Sequence, residues 1–324
     1  MEQIKPLFWI IDDEWEDHEP EISLLTKAVP SCEIRVTKDS FWADLEAFGQ
    51  NADLILTQIS YPITKTVLRK LKYCRGIAVF GSGYNNVDVG AANSLGIPVT
   101  NVNGYCTEDL ADYVLAAIMH FNKRLTAFSA GIGSGEWGAN AIHTPVHRLS
   151  TQTLMLLGFG RIGSVVAQKA RAIGMHVMMY DPFLPAEKIR EDGYEPVDME
   201  EGLKRADFVS IHMPLTEENH GIINSGFFEK MKPSAVFINV ARGGLVQEGD
   251  LVQALKAGVI SGAALDVVAE EPISQGNPLL HAPNCLITPH ISYASEESMQ
   301  ELRSRAVENA LAMYRGEKPR DLVC

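Results

Sequence analysis

The chain has 324 residues, 46% of them hydrophobic and 21% charged, which is a globular composition with enough length for two domains. The formal net charge of −13 disfavours a nucleic-acid partner, because binding to phosphates needs a basic face. One or two arginines could still hold a small carboxylate against this acidic background.

The cysteines and the N-terminal segment indicate where we expect the protein to work. The five cysteines form no CxxC pair, so the sequence predicts neither a zinc site nor a disulfide framework. The segment 1–17 lacks the long apolar core of a signal peptide, and no apolar stretch reaches the ~20 residues needed to span a bilayer. We therefore expect a cytoplasmic protein without a metal ion and without a membrane partner.

Short apolar runs bounded by turn residues alternate with amphipathic stretches, a pattern typical of parallel sheets with helices on both faces. The first set of predicted strands is 7–11, 34–36, 54–56, 77–79 and 98–100. The second set is 154–157, 176–180, 208–211, 236–239, 263–265 and 286–288. We therefore predict an α/β protein with two doubly wound parallel-sheet domains.

Two longer stretches have a helical pattern. Residues 108–128 are predicted to form one helix, followed by a glycine-rich loop at 131–145. Past residue 294 we predict a single helix with Ser295 or Ala294 near its N-cap, acids in its first turn and Gly316 near its end. This last helix could close the surface of the second domain or return to the first.

A glycine motif directly follows the first strand of the second set. Gly158, Gly160 and Gly163 have the spacing GxGxxG, and a helical pattern follows them. The first glycine permits a tight turn, the second lets a pyrophosphate approach the backbone, and the third allows close packing of the helix. A glycine-rich turn without a ligand is the alternative, which the flanking strand and helix disfavour.

An acidic residue supports a dinucleotide site. Asp181 ends the predicted strand 176–180, at the position where a carboxylate accepts hydrogen bonds from the adenosine ribose. Because this charge would repel a 2′-phosphate, we expect NAD as the cofactor. Arg161, inside the glycine motif, could contact the pyrophosphate or face solvent.

Three ionisable residues each follow a predicted strand of the second set: Arg242, Glu271 and His290. Singly, each has an ordinary explanation, as a surface turn, a solvated acid before proline, and a structural hydrogen bonder. Doubly wound folds bind ligands at the carboxyl ends of their strands, so the shared position of the three favours an active site.

These side chains have the chemistry needed to reduce a 2-keto acid. Imidazole, with an ordinary pKa of about 6.5, suits reversible proton transfer at the carbonyl oxygen. A carboxylate beside it, from Glu271, would favour the imidazolium and orient the ring. The planar guanidinium of Arg242 matches a substrate carboxylate.

Five motifs occur in an order that is typical of one enzyme family. They are GSGYNNVD (81–88), GFGRIG (158–163), NVARGGLV (239–246), AALDVVAEEP (263–272) and TPHISYASEE (288–297). Through them, and over nearly its whole length, the chain resembles the D-isomer-specific 2-hydroxyacid dehydrogenases. The motifs look closest to the branch that holds the phosphoglycerate dehydrogenases and the C-terminal-binding-protein corepressors.

The resemblance implies a role for each candidate residue. Arg242 would bind the substrate carboxylate and polarise the keto group, His290 would be the acid and base, and Glu271 would be its partner. Asp266 would contact the nicotinamide carboxamide. The implied cofactor contacts also include Ile162, Met213, Asn219, Val240 and Ala241.

The implied substrate contacts come from two segments. The backbone amides of Ser82 and Gly83 would hold the substrate carboxylate, and Tyr293 stands where the corepressors carry a tryptophan that faces the substrate. The loop 58–61, together with Tyr293, is expected to select the C2 substituent, and we see no cluster of arginines for a phosphate. The chain departs from the family pattern at Gln247, Asn103 and Met155, and these departures leave the core chemistry intact.

The resemblance also implies a domain arrangement. A Rossmann NAD-binding domain, 101–293, would be inserted in a flavodoxin-like substrate-binding domain made of 1–100 and 294–324, with the last helix crossing back. Proteins of this family are generally homodimers that pack through their cofactor domains.

Two other functions remain open from the sequence. The first is an NAD(H)-sensing corepressor of the same fold, in which dimerisation rather than turnover matters. The second is a dehydrogenase of formate or phosphite, which we disfavour because the formate enzymes of this fold carry Gln where Glu271 stands.

Overall fold

A computed structural model of the chain describes residues 5–12, 14–37 and 40–324. These residues form two compact units. The first unit comprises the described residues up to Tyr105 together with Ser295–Cys324, and the second is Cys106–Ala294. The range 1–100 predicted for the substrate-binding domain includes residues 1–4, which lie outside the described residues.

The first unit is built on one parallel sheet. Its strands are β1 (Leu7–Ile11), β2 (Glu33–Thr37), β3 (Leu54–Thr57), β4 (Ile77–Val79) and β5 (Val99–Thr100). Their order is β2-β1-β3-β4-β5, which is the flavodoxin-like order. The helices are α1 (Glu19–Ala28), α2 (Phe41–Ala47), α3 (Lys65–Leu68), α4 (Val89–Ser94) and the last helix of the chain, α12 (Glu296–Arg315).

Apolar side chains cover both faces of this sheet. In β1, Phe8 and Ile10 pack with α1 and α12, whereas Trp9 and Ile11 pack with α2, α3 and α4. All four side chains are fully buried, because successive residues of a strand point to opposite faces and both faces carry helices. A short apolar run without alternation is therefore the correct sequence signature here.

The last helix begins and ends where the sequence predicts. The Ser295 hydroxyl accepts a hydrogen bond from the backbone N–H of Ser298 at 3.0 Å, and Gly316 ends the helix with a left-handed φ of 73°. Leu302 and Ala306 of this helix pack into the core of the first unit. The last helix therefore covers the first sheet, the second of the two arrangements left open above.

The second unit contains a larger parallel sheet. Its strands are β6 (Thr153–Leu157), β7 (His176–Tyr180), β8 (Glu195–Pro196), β9 (Phe208–Ile211), β10 (Val236–Asn239), β11 (Gly262–Leu265) and β12 (Cys285–Ile287). They lie in the order β12-β11-β10-β9-β6-β7-β8, so the strand order reverses between β6 and β9, as in a Rossmann fold. The predicted fold class is confirmed.

Helices cover both faces of this sheet too. The helices of this unit are α5 (Thr107–Lys123), α6 (Leu125–Ile132), α7 (Arg161–Ala172), α8 (Ala186–Glu191), α9 (Met199–Arg205), α10 (Ser225–Phe228) and α11 (Glu248–Lys256), and among them α6 has no buried residue. Leu154 and Leu156 of β6 pack with α5 and α7, and Met155 and Leu157 pack with α9, α10 and α11. The carboxyl ends of the seven strands thus form one edge, framed by helices.

Two predictions for this unit are wrong. The single helix expected over 108–128 is broken at Arg124, whose left-handed φ of 50° separates α5 from α6, because the buried face of α5 ends near Asn122 and no core contact continues it. The helix α6 also extends to Ile132, into the segment expected to be a loop. Sequence reasoning also missed β8, a two-residue edge strand that ends in proline and has no apolar run of its own.

Candidate active site

The glycine motif forms a tight connection between β6 and α7. Gly158 has a left-handed φ of 101°, and a Cβ there would lie 2.8 Å from the carbonyl oxygen of His212, at the end of the adjoining strand. A Cβ at Gly163 would lie 2.3 Å from the carbonyl oxygen of Gly158, so the helix packs on the turn itself. Gly160 has open space around its Cβ position. This space at a helix N-terminus fits the pyrophosphate of NAD.

Asp181 lies next to this connection, after β7. Its carboxylate accepts hydrogen bonds from the backbone N–H groups of Phe159 and Phe183, both at 2.9 Å. Each carboxylate oxygen can accept more than one hydrogen bond, so these contacts orient the group and leave capacity for ribose hydroxyls. Arg161 is the first residue of α7.

The remaining residues expected at the cofactor belong to the same edge of the sheet. They are Ile162 in α7, Met213 and Asn219 after β9, and Val240 and Ala241 after β10. The Asn219 side chain accepts from the N–H of Thr216 at 2.7 Å and donates to the Pro214 carbonyl at 2.8 Å, so it closes the turn after β9. The N–H of Ala241 is held by the side chain of Asn239 at 3.0 Å.

The structure brings His290 and Glu271 together. His290 Nδ1 lies 2.7 Å from Glu271 Oε2, and the second oxygen of Glu271 accepts the N–H of Val268 at 3.0 Å. The side chains of the pair are 32% and 33% exposed. No described group pairs with Nε2 of His290, so this nitrogen faces outward from the pair. The Tyr293 ring lies beside the imidazole ring of His290, with 6.4 Å between the two ring centres.

Each member of this pair perturbs the other. Burial alone lowers the pKa of His290, but the hydrogen bond and charge of Glu271, with the charge of Asp266, outweigh it and raise the pKa. Burial alone raises the pKa of Glu271, but the hydrogen bond and charge of His290 outweigh it and lower the pKa. Each member of the pair therefore stabilises the charged form of the other, imidazolium beside carboxylate, and the two titrate as a coupled unit.

Arg242 follows β10, the strand next to β11, and Glu271 lies in the loop after β11. Its guanidinium donates to the carbonyl of Ala241 at 2.7 Å, and no carboxylate of the described residues forms an ion pair with it. A Cβ at the next residue, Gly243, would lie 1.9 Å from the backbone of Val268, so the loop after β10 packs directly on the loop after β11. The charge of Arg242 lowers the pKa of both His290 and Glu271, which places it within electrostatic range of them.

Asp266 has a structural part in this edge. Its carboxylate, 1% exposed, accepts hydrogen bonds from the Thr288 hydroxyl at 2.7 Å and from the N–H groups of Ile291 and Ser292 at 2.8 and 2.9 Å. Its backbone carbonyl accepts the N–H of His290 at 2.8 Å. Asp266 therefore holds the loop that carries His290, whatever further contact it makes with a cofactor.

Sequence reasoning did not single out Glu248, in the first turn of α11. Its carboxylate accepts the N–H of Ala269 at 2.6 Å and the side-chain amide of Asn277 at 3.0 Å. These bonds brace both sides of the loop that carries Glu271. An acid in the first turn of a helix is common for reasons of the helix dipole, so the sequence offered no specific signal.

Ser82 and Gly83 lie in the first unit, in the loop after β4. The Ser82 hydroxyl donates to the Val102 carbonyl at 3.1 Å, and the side-chain amide of Asn101 donates to the Ser82 carbonyl at 2.8 Å. These bonds fix the loop and leave the backbone amides of Ser82 and Gly83 without a described acceptor. The candidate catalytic residues all belong to the second unit.

Within the described ranges, no three His, Cys, Asp or Glu side chains are grouped so that they could hold a metal ion, and all five cysteines are free thiols. None of the helices in that part of the chain combines the length and the apolar composition that crossing a bilayer requires.

Known proteins are similar to this chain over most of its length. Residues 115–292 match the sequence model of the D-isomer specific 2-hydroxyacid dehydrogenase, NAD binding domain. The chain is 36% identical over 277 residues to a glyoxylate reductase of Korarchaeum cryptofilum, covering 85% of this chain and 83% of that protein. It is 35% identical over 303 residues to a hydroxypyruvate reductase of Blautia hydrogenotrophica, covering 86% and 93%. The crystal structure of the TT0316 protein from Thermus thermophilus matches with a TM-score of 0.85 and 33% identity, over 98% of this chain and 100% of that one.

Proposed function

Since the chain belongs to the D-isomer specific 2-hydroxyacid dehydrogenase family and uses NAD, we propose that it interconverts a small, unphosphorylated 2-keto acid and its 2-hydroxy acid. Glyoxylate and hydroxypyruvate are the leading candidates. Where C2 of the product is chiral, we expect the D isomer.

The observation that carries this proposal is the pairing of His290 with Glu271 on the same strand edge as Arg242. Because Nδ1 is bonded to Glu271, the outward nitrogen, Nε2, is the one that can give a proton to the keto oxygen. Glu271 stabilises the positive charge that His290 carries before this transfer. When bound, NADH supplies the hydride to C2, which with the proton completes the reduction.

Arg242 is proposed to bind the substrate carboxylate, and the family resemblance adds the backbone amides of Ser82 and Gly83. The Arg242→Ala change should raise KM for the keto acid roughly 10–100-fold, since a charge-assisted hydrogen bond contributes about 1.5–3 kcal/mol. Arg205→Ala is a matched control, because Arg205 pairs with Glu195 and Glu201 at the surface of the same unit. An unchanged KM in the Arg242 variant would remove this role.

The choice of an unphosphorylated substrate has two supports. The two relatives described above are by name reductases of glyoxylate and of hydroxypyruvate. In this chain Gln58, a neutral residue, follows β3 at the start of the loop expected to select the C2 substituent, and a neutral amide attracts phosphate less than an arginine does. No comparison favours the corepressor alternative.

NADH consumption across glyoxylate, hydroxypyruvate, phosphohydroxypyruvate and bulkier 2-keto acids, with product chirality determined, tests the function. We expect the highest kcat/KM with one of the two unphosphorylated candidates. A preference for phosphohydroxypyruvate would refute the substrate assignment, and no turnover of any keto acid by folded protein that binds NADH would refute the activity.

Asp181 is proposed to set the preference for NADH over NADPH. Asp181→Ala should raise the Kd for NADH and narrow the gap between the two cofactors, because the repulsion toward a 2′-phosphate is gone. Asp192→Ala, which removes an exposed carboxylate paired with Lys188 in the same unit, is the control. Equally poor use of NADPH by wild type and by the Asp181 variant would contradict this account.

We also propose a homodimer in which a second copy packs on α6 and the segment after it. No residue of α6 is buried, and Leu125 and Trp137 are 66% and 78% exposed, an apolar surface that a monomer seldom leaves open. Light scattering on wild type should give the mass of two chains, and the double change Leu125→Asp and Trp137→Asp should give one. A monomeric wild type would exclude the dimer.

A further inference from the structure

The loop 288–292, which carries His290, is held in an unfavourable backbone conformation. His290 has a φ of 52°, a left-handed value that costs a non-glycine residue on the order of 1 kcal/mol or more. Asp266 accepts the hydrogen bonds that hold this segment. Its backbone carbonyl accepts the N–H of His290, and its carboxylate accepts the N–H groups of Ile291 and Ser292. The direction of the His290 side chain therefore depends on the position of Asp266.

A chain of hydrogen bonds leads from this carboxylate to a neighbouring helix. The Thr288 hydroxyl donates to Asp266 Oδ1 at 2.7 Å, and the Tyr113 hydroxyl lies 2.5 Å from the Thr288 hydroxyl oxygen. A carboxylate only accepts, and a threonine hydroxyl has one hydrogen. Since that hydrogen is used on Asp266, Tyr113 must be the donor, and the chain has one direction, from Tyr113 through Thr288 to Asp266.

Tyr113 is well placed to act as the fixed end of this chain. It lies in the middle of α5, whose neighbouring residues Ala111 and Val114 are fully buried against the second sheet. Burial chiefly raises the pKa of the Tyr113 hydroxyl, and the charge of Asp266 adds to this, so the hydroxyl keeps the proton that it donates.

We propose that Tyr113 is a positioning residue for His290, acting through Thr288 and Asp266 to hold the loop in its left-handed conformation. This inference rests on the proposed role of His290 as the proton donor. Without the Tyr113 hydroxyl, Thr288 loses one of the two partners that fix its rotamer, and the loop gains freedom at His290. Misplacement of a reacting group by about 1 Å can cost up to 10²-fold in rate.

Steady-state kinetics of Tyr113→Phe provide the first test. We expect kcat to fall about 10-fold, while KM for the keto acid and Kd for NADH change less than about twofold, because Tyr113 binds neither ligand. Thr288→Val should give a similar loss, the double variant should be no worse than the worse single one, since both break the same chain, and Thr288→Ser should restore most of the rate. An undiminished kcat in Tyr113→Phe, or losses that multiply in the double variant, would overturn the inference.

Ser261→Ala is the control for the loss of a hydroxyl that donates a hydrogen bond elsewhere in the same unit. Ser261 precedes β11, whereas Asp266 follows it, so Ser261 lies at the amino end of that strand. Its hydroxyl donates to the Ser234 carbonyl at 2.8 Å. This variant should lose stability without losing kcat. If Ser261→Ala and Tyr113→Phe lose kcat in equal proportion to their loss of thermal stability, the role of Tyr113 is structural only.

Hydrogen–deuterium exchange separates this inference from the proposed function, because it needs no turnover. The N–H groups of Ile291 and Ser292, both bonded to Asp266, should exchange at least about fivefold faster in Tyr113→Phe than in wild type or in Ser261→Ala, as local opening becomes easier. Faster exchange in a protein that reduces no keto acid would refute the function and keep the loop mechanism. Unchanged exchange at these two amides would refute the mechanism even in an active enzyme.

Discussion

Each unit of this protein contains a histidine–carboxylate pair near the carboxyl ends of its parallel strands, and the two pairs differ in their surroundings. In the second unit, His290 pairs with Glu271 at 2.7 Å, and both side chains are about one third exposed. In the first unit, His18 Nε2 lies 3.1 Å from Asp12, directly after β1, and these side chains are 3% and 0% exposed.

The partners of the two rings also differ. Both nitrogens of His18 face carboxylates, since Nδ1 lies 3.8 Å from Glu21, and Arg303 in turn donates to Glu21 at 2.7 Å and packs over the Trp15 ring. His290 keeps one nitrogen open, and Arg242 has no described carboxylate partner. In the proposed mechanism, proton transfer to a ligand needs more than a histidine beside an acid: it also needs an exposed ring nitrogen and a cation that no carboxylate already neutralises.

The largest effect should separate the two histidines in turnover. His290→Ala should lower kcat by about 10²-fold or more while NADH affinity is nearly kept, because the proton donor is lost. His18→Ala, measured on folded protein, should keep kcat within about twofold. A loss of kcat in the His18 variant as large as in the His290 variant would show that the comparison is false.

Arg303, which bonds to Glu21 beside the His18 pair, should matter for the stability of the first unit and not for substrate binding. Arg303→Ala removes a main partner of the fully buried Glu21 carboxylate, which should cost about 3 kcal/mol of unfolding free energy. The midpoint of urea unfolding, followed by tryptophan fluorescence in a Trp137→Phe background, reports on the first unit, which contains the other three tryptophans. A raised KM for the keto acid, or an unshifted midpoint, would contradict the assignment.

The buried pair should also make the first unit depend on pH. Burial alone would lower the pKa of His18, but the nearby carboxylates of Asp12 and Glu21 outweigh it and raise the pKa to about 9. Because the pKa is higher in the folded state, protonation of His18 stabilises the folded protein, fully so below the unfolded pKa of about 6.5. This stabilisation, on the order of 3 kcal/mol, is lost as the pH rises through 9. The same fluorescence midpoint should therefore fall between pH 6.5 and 9, and His18→Gln should flatten the dependence. An equal slope of the midpoint against pH in His18→Gln and in wild type would refute this role of His18.

The exposed pair should instead make turnover depend on pH, with a smaller change. In the proposed mechanism reduction needs protonated His290, so kcat/KM should be constant below its raised pKa and fall as the pH rises through it. Glu271→Gln keeps an oxygen that can accept from Nδ1 but removes the negative charge that helps to raise this pKa, so the alkaline limb should move to lower pH. The pH–rate profile of the two proteins measures this shift, and Glu195→Gln, a change at a carboxylate that pairs with His176 at the surface, should leave it in place. An alkaline limb at the same pH in both proteins would mean that Glu271 does not raise the pKa of the catalytic acid.

The local pattern of the sequence was sufficient for most of the fold. Eleven of the strands were predicted to within about two residues at either end, because a strand buried on both faces is a short apolar run bounded by turn residues. The glycine motif and the ends of α12 were also evident, since Gly158 and Gly316 adopt left-handed conformations that few other residues tolerate. The strand β8 exists only through its pairing with β7, and its own residues carried no signal.

The candidate site was only partly evident for a related reason. Arg242, Glu271 and His290 could be placed on one edge because parallel strands all end there. The contacts that support the two histidine pairs could not be predicted, because Tyr113 is 175 positions from Thr288 and Glu21 is 282 positions from Arg303. Sequence periodicity extends over a few helical turns, so it determined the elements and the edge. Burial and the direction of side chains arise only when distant segments pack, so the tertiary structure alone decided which histidine is sealed and which is open.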